Sequence, residues 1–169
     1  MKLIWTPVMT GGFGNPNNEL IRGLTEFKGS LYAITLNGRD GGEVHRSASA
    51  EPSTWEKVAD RAFQAFGNPR KRPFRSLKAY NGHLFVSTGW VAQTWRSDGG
   101  VHWQKVADHG VEKGIRNFSV RALESFEGYL YAGTGAEFIG SAGIYRSLQG
   151  DVWEAVVSDG FGKPRSNNL

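Results

Sequence analysis

The chain contains no cysteine, which excludes disulfide staples and thiolate metal sites. No apolar run approaches the roughly 20 residues of a membrane-spanning helix, so no membrane partner is expected. The opening stretch Met1-Lys2-Leu3-Ile4-Trp5-Thr6-Pro7-Val8 lacks the apolar core and small-residue cleavage site of a signal peptide. The expectation is a chain that stays inside the cell, or a mature or truncated form. No segment sustains a 3.6-residue apolar period, so essentially no helix is predicted. Strong charge of one sign is also missing. A net charge of +4 is a mild bias toward acidic partners and falls short of a polybasic signature, which disfavours nucleic acid.

What is present points to strands. Glycine is abundant at 23 residues and aromatics make up 12%, a combination that suits many short strands joined by tight turns. Hydrophobic residues at 39% and charged residues at 21% are ordinary for a globular protein. At 169 residues the chain fits one domain and is long enough to bury a core without staples.

A repeat of about fifty residues organises the sequence. Tryptophans at 5, 55, 103 and 153 are spaced by 50, 48 and 50 residues. Each opens a similar segment: Trp5-Thr6-Pro7-Val8, Trp55-Glu56-Lys57-Val58, Trp103-Gln104-Lys105-Val106 and Trp153-Glu154-Ala155-Val156. Between them a second signature recurs. Arg22, Leu24, Phe27, Gly29, Leu31 and Tyr32 match Arg75, Leu77, Tyr80, Gly82, Leu84 and Phe85, and match again as Arg121, Leu123, Phe126, Gly128, Leu130 and Tyr131.

Each repeat divides into four strands. Strand A is predicted over about 20–27, 73–80 and 119–126, and strand B over about 30–36, 83–88 and 129–134. Lys28-Gly29, Asn81-Gly82 and Glu127-Gly128 form the hairpin turns between them. Strand C follows over about 43–47, 92–97 and 142–147, and strand D starts at each tryptophan. Four antiparallel strands at this period predict an all-β propeller of about three blades in one domain, 1–169, with repeats at about 11–60, 61–110 and 111–160. A strand D of an extra blade is expected at 3–9 and a linker-like tail at 161–169.

The segment Arg96-Ser97-Asp98-Gly99-Gly100-Val101-His102-Trp103 resembles the Asp-box of sialidase-type propellers, with arginine for the leading serine and histidine for the threonine. The third copy, Arg146 to Trp153, keeps the glycine and tryptophan but not the aspartate; the first copy keeps little beyond Arg46, Ser47 and Trp55. Gly12-Phe13-Gly14-Asn15-Pro16-Asn17-Asn18 and Phe66-Gly67-Asn68-Pro69 are similar to the inter-blade linker of bacterial Asp-box-like repeat proteins of unassigned function. The resemblance implies a structural role for Asp98, Gly100, Trp103, Trp55 and Trp153: the aspartate accepts turn N–H groups and the tryptophan packs under the hairpin. It also implies that ligands bind on the opposite face.

Three blades fall short of the four to eight that close a ring. Two copies would give six, so a homodimer is expected, with closed symmetry favoured over open polymers. The surplus N-terminal strand would complete the partner's blade, displace its last strand or add to a blade edge.

On the ligand face the sequence places Arg22, Arg75 and Arg121 at the starts of the innermost strands. Arg70, Lys71, Arg72, Lys113, Arg116, Lys163 and Arg165 lie in the D-to-A connections. Guanidinium groups suit carboxylate, sulfate or phosphate. The favoured reading of an arginine repeated in every blade is nonetheless structural, through stacking against backbone carbonyls. Trp90 and Phe138 lie in unlike B-to-C loops, where they either meet a glycan or anionic ligand or cap the core locally. Asp40 and Glu137 are the loop carboxylates, without an identifiable partner, and the tyrosines fall on strand positions. The four histidines have no metal-ligand spacing. The expectation is therefore a non-enzymatic binding or scaffold propeller without metal or cofactor. A purely structural or protein-interaction propeller comes second, and a sialidase-like hydrolase last.

Overall fold

A computed structural model describes residues 4–60, 73–108, 119–135 and 141–162. They form three four-stranded antiparallel sheets. The first contains β1 (Leu20–Phe27), β2 (Ser30–Leu36), β3 (Glu43–Ser47) and β4 (Glu56–Asp60). The second contains β5 (Phe74–Tyr80), β6 (His83–Thr88), β7 (Gln93–Ser97) and β8 (Gln104–Asp108). The third contains β9 (Ser119–Phe126), β10 (Tyr129–Gly135), β11 (Gly143–Ser147) and β12 (Glu154–Val157). Spatial order follows chain order in every sheet. The first strands β1, β5 and β9 adjoin one another, so the sheets fan out from that side as propeller blades do. Helical geometry among the described residues is limited to short turns at Gly11–Gly14 and Pro52–Thr54, and no helix there is long and apolar enough to cross a membrane.

The hairpins between first and second strands have two-residue loops with both residues at positive φ: Lys28 and Gly29, Asn81 and Gly82, Glu127 and Gly128. This is the type I′ turn, whose twist matches that of the strands it joins. Every sheet also carries two bulges at equivalent places. One lies in the first strand between Ile21 and Gly23, between Phe74 and Ser76, and opposite Gly133 and Thr134. The other lies in the last strand, opposite Val44/His45, Thr94/Trp95 and Ile144/Tyr145. Bulges raise local twist, which makes each sheet a blade rather than a flat slab.

The core consists of two seams. Phe27, Tyr32, Ile34 and Val44 pack against Phe74, Leu77, Leu84 and Val86. Phe85 and Ala92 pack against Val120, Leu123, Leu130, Ala132 and Tyr145. Strand β6 serves both seams because alternate side chains leave opposite faces; Leu84 to Thr88 are all buried. The seams are keyed by size. A methyl on Gly42 would lie 2.5 Å from the Phe74 ring. At the equivalent places in the second seam, Ala92 meets Val120, both fully buried.

The turns after β7 and β11 each seat an aromatic ring of the preceding sheet. Gly100, at φ +80°, lies under Tyr32, and a methyl there would come within 2.5 Å of its ring. Gly150, also at φ +80°, lies under Phe85, and a methyl would come within 2.3 Å. The Tyr32 hydroxyl donates to the Gly99 carbonyl at 3.3 Å, and that of Tyr80 reaches the Leu148 carbonyl at 2.8 Å.

Of the stretch expected as a strand at 3–9, residue 3 lies outside the described residues, and residues 4–10 pair with no strand among the described residues. A last strand needs a third strand to pair with, and the described third strands β3, β7 and β11 are each already paired with β4, β8 and β12. Trp5 is accordingly 91% exposed, whereas Trp55, Trp103 and Trp153 are half-buried. Of the expected tail, Phe161 and Gly162 belong to the described residues.

Candidate functional site

The three repeated arginines are the bulged residues of the first strands. Arg22, Arg75 and Arg121 have no register partner, while their neighbours pair with β2, β6 and β10. A bulge re-aims its side chain away from the ladder. Arg22 and Arg121 are exposed and Arg75 is half-buried. Arg75 and Arg121 lie over the glycines that end the second strands: a methyl on Gly89 would meet Arg75 Nε at 2.6 Å, and one on Gly135 would meet Arg121 Nε at 3.2 Å. In the first sheet Leu36 holds that place. All three arginines sit at the end of the strands away from the Ser97–Gly100 turn, since Ser76 pairs with Ser87 while Ser97 pairs with Leu84.

Near this end the second and third sheets meet through a bridge between Gly89 and Ser119. Ser119 Oγ is buried with no hydrogen-bond partner in the described structure, and it lies 3.7 Å from the point a methyl on Gly135 would occupy. Trp90 follows in the loop after β6. It is 49% exposed with φ +67°, a left-handed backbone that bulky residues rarely adopt. Phe138 and Glu137, and the loop cations Arg70, Lys71, Arg72, Lys113, Arg116, Lys163 and Arg165, lie outside the described residues. Asp40 is taken by Asn17, whose side-chain amide donates to it at 2.8 Å.

A second polar constellation escaped the sequence reading. Glu43, at the start of β3, is 6% exposed. Its carboxylate accepts from Asn15 at 3.1 Å, from Asn18 at 2.7 Å and from His45 Nε2 at 2.9 Å, with Lys57 at 3.5 Å. Burial alone would push the Glu43 carboxyl up, but the Asn18 and Asn15 amides, His45 and the Lys57 charge outweigh it and hold the group below its usual value. Burial pushes His45 down against the pull of Glu43, so the imidazole is neutral at pH 7. Since a carboxylate only accepts, Nε2 carries the proton. Phe13 stacks on His45 with ring centres 4.0 Å apart and meets Trp55 edge-on at 5.2 Å. It gets there through a left-handed run, Gly11 to Gly14 at φ +69°, +62°, +58° and +81°, which glycines on either side of the phenylalanine permit. A cavity of about 320 Å³ lies beside the cluster, lined by Met9, Phe13, Glu43, His45, Trp55 and Lys57. The carboxylate's acceptor positions are filled by protein donors, so the cluster ties the 11–18 segment to the first sheet. The signal for it was divergence: blades two and three carry Gln93 and Trp95, Gly143 and Tyr145 at these positions.

In the turns, serine does the work expected of aspartate. Ser97 Oγ accepts from the Gly99 and Gly100 N–H groups at 3.3 and 2.8 Å. Ser47 and Ser147 do the same for Ala50 and Gly150, each at 2.8 Å. Asp98 points outward, 84% exposed, and pairs with His83 Nδ1 at 2.7 Å. Trp103 and Trp153 donate their indole N–H to the carbonyls of Gly100 and Gly150 at 3.0 and 3.2 Å. The buried Trp55 indole N–H finds no acceptor among the described residues. Among those residues no group of three His, Cys, Asp or Glu side chains is placed to hold a metal ion.

No protein-family model and no curated protein sequence matches the chain. Its likeness is to solved structures. YCF48 from Cyanidioschyzon merolae superposes with a TM-score of 0.64 at 14% identity, over 92% of this chain and 45% of that one. A Dyadobacter fermentans protein of unknown function gives 0.56 at 16%, over 79% and 49%. A family 117 glycoside hydrolase from Zobellia galactanivorans gives 0.52 at 13%, over 80% and 44%. The chain thus has the propeller fold and spans about half the length of these structures.

Proposed function

We propose that this chain is part of a non-enzymatic binding propeller that takes an anionic ligand, such as an acidic sugar, sulfate or phosphate, at the arginine end of its inner strands. The observation behind this reading is the same bulged arginine in three consecutive blades. A bulge costs ladder pairing, and here it yields guanidinium groups at one end of adjoining strands, suited to forked recognition of anions. Trp90 adds an exposed aromatic held in a strained backbone, a combination that clusters at binding sites. In Asp-box propellers, which the 96–103 segment resembles, ligands bind away from the turn, in keeping with arginines at the opposite strand ends.

Glycoside hydrolases share the fold, and a retaining or inverting enzyme of that kind uses two carboxyl groups flanking the scissile bond. Here Asp40 is engaged by Asn17 and Glu43 is buried, fully bonded and ionised, so neither supports a hydrolytic role.

The test is calorimetry with inorganic sulfate, inorganic phosphate and glucuronate, repeated for Arg22→Ala and Arg121→Ala. Both side chains are exposed, and urea unfolding of each variant checks that the fold is kept. Saturable binding that weakens in either variant and with added salt is expected. No binding at millimolar ligand, or affinity in both variants unchanged from that of the unaltered chain, sinks the reading.

A further inference from the structure

The third sheet leaves one face without a partner among the described residues, and that face carries the docking equipment of the other two. Tyr131 stands where Tyr32 and Phe85 stand, and Phe126 where Phe27 and Tyr80 stand. The ring pairs have the same geometry. Phe27 and Tyr32 are 6.0 Å apart, Tyr80 and Phe85 6.2 Å, and Phe126 and Tyr131 6.4 Å. The third pair is thus preset for a seam although Phe126 is 61% exposed against 5% for Phe27.

What fits this face follows from the two seams that exist. Each incoming turn offers glycine at its fourth position, Gly100 or Gly150, under the aromatic ring. It also offers acceptors at its second or third position. Lys28 Nζ donates to the Asp98 carbonyl at 2.8 Å, and Asn81 donates to Gln149 Oε1 at 2.8 Å. On the third sheet the residue equivalent to Lys28 and Asn81 is Glu127, whose carboxylate only accepts.

The first sheet of a second copy fails both requirements. Its turn is closed by Ser47 on Ala50, so Ala50 holds the fourth position, with φ +61°. Its methyl falls where a methyl on Gly100 would overlap Tyr32. Glu127 would face Ala48, which has no side-chain donor, and Ser49, whose hydroxyl is committed to Thr54 at 3.2 Å.

We propose that the open face of the third sheet docks a separate, non-identical propeller blade whose turn after its third strand carries glycine at the fourth position and a side-chain donor at the second or third. Two copies of this chain do not close a six-bladed ring by repeating the internal seams.

The test converts the first sheet into the required partner. Ala50→Gly relieves the overlap at a backbone glycine prefers, and Ala48→Lys, at an exposed site, supplies the donor. Sedimentation equilibrium of A48K/A50G is expected to show self-association at least about tenfold tighter than the unaltered chain, the scale of relieving one overpacked contact. The gain should vanish when Tyr131→Ala is added. E127K with A50G approaches the same seam from the other side and should give the same gain. The proposal is overturned if the unaltered chain associates as tightly as A48K/A50G, if neither double variant gains, or if the gain survives Tyr131→Ala.

Discussion

Replacing Gly150 with alanine tests the central packing idea, that a turn glycine is the seat for the neighbouring sheet. Two costs are separable. Alanine at φ +80° pays for a left-handed backbone, about 1–2 kcal/mol. Its methyl would also lie 2.3 and 2.4 Å from Phe85 Cε1 and Cζ, a core overlap of about 1–3 kcal/mol. Gly150→Ala is therefore expected to cost about 2–5 kcal/mol. Two other glycines isolate the terms. Gly82 has φ +76° and open space around it, so Gly82→Ala should cost only the backbone part, about 1–2 kcal/mol. Gly99 has neither positive φ nor a neighbour within 4 Å, so Gly99→Ala should stay within about 0.5 kcal/mol, or stabilise slightly. Equilibrium urea unfolding followed by tryptophan fluorescence gives the three values, with an unchanged slope marking an unchanged reference state. If Gly150→Ala and Gly82→Ala cost the same, the ring does not rest on the glycine and the seam argument fails.

Two further predictions concern groups already described. Ser97→Ala leaves two turn N–H groups without their acceptor and should cost about 1–3 kcal/mol. Asp98→Ala, at an exposed site, should change stability by less than about 0.5 kcal/mol; a larger loss from Asp98 than from Ser97 would reverse the assignment. His45 and Glu43 both have depressed pKa values, so each binds fewer protons folded than unfolded and loses its stabilising contribution on acidification. Thermal scans should show Tm falling below about pH 6.5 from His45 and again below about pH 4.5 from Glu43. His45→Phe should abolish the upper stage, and an unchanged slope between pH 7 and 5 in that variant refutes the role of the imidazole.

The sheets were legible because their determinants are local. Alternating apolar residues gave the strands, and glycine at one fixed offset gave the type I′ turns. The aspartate drew attention because Asp98 fits a known pattern. Yet serine is common to all three turns at 47, 97 and 147, and its hydroxyl is the buried acceptor. Register was not legible. That Arg22, Arg75 and Arg121 sit on bulges depends on which residues pair across β1–β2, β5–β6 and β9–β10. The Glu43–His45 cluster was hidden for another reason: its members come from a linker and two strands, and no spacing rule joins Asn15 to Glu43. The stretch at 3–9 has the sequence pattern of a last strand, but a strand is a property of a pair, and residues 4–10 pair with no strand among the described residues.

The size keys between the blades bear on how the chain folds. Repeats this similar invite a wrong early encounter, with the third sheet settling on the first before the second has formed. Val120 in place of Phe74 would then leave the hollow above Gly42 partly empty, at about 0.8 kcal/mol for each methylene-sized group not buried. The opposite error, a duplicated middle blade stacked on itself, would drive Phe74 into the Ala92 methyl, where even Gly42 leaves the ring no room for one. Blade order is thus written into the volumes of two residue pairs, and shortcuts in assembly are penalised before the arginine end of the inner strands exists.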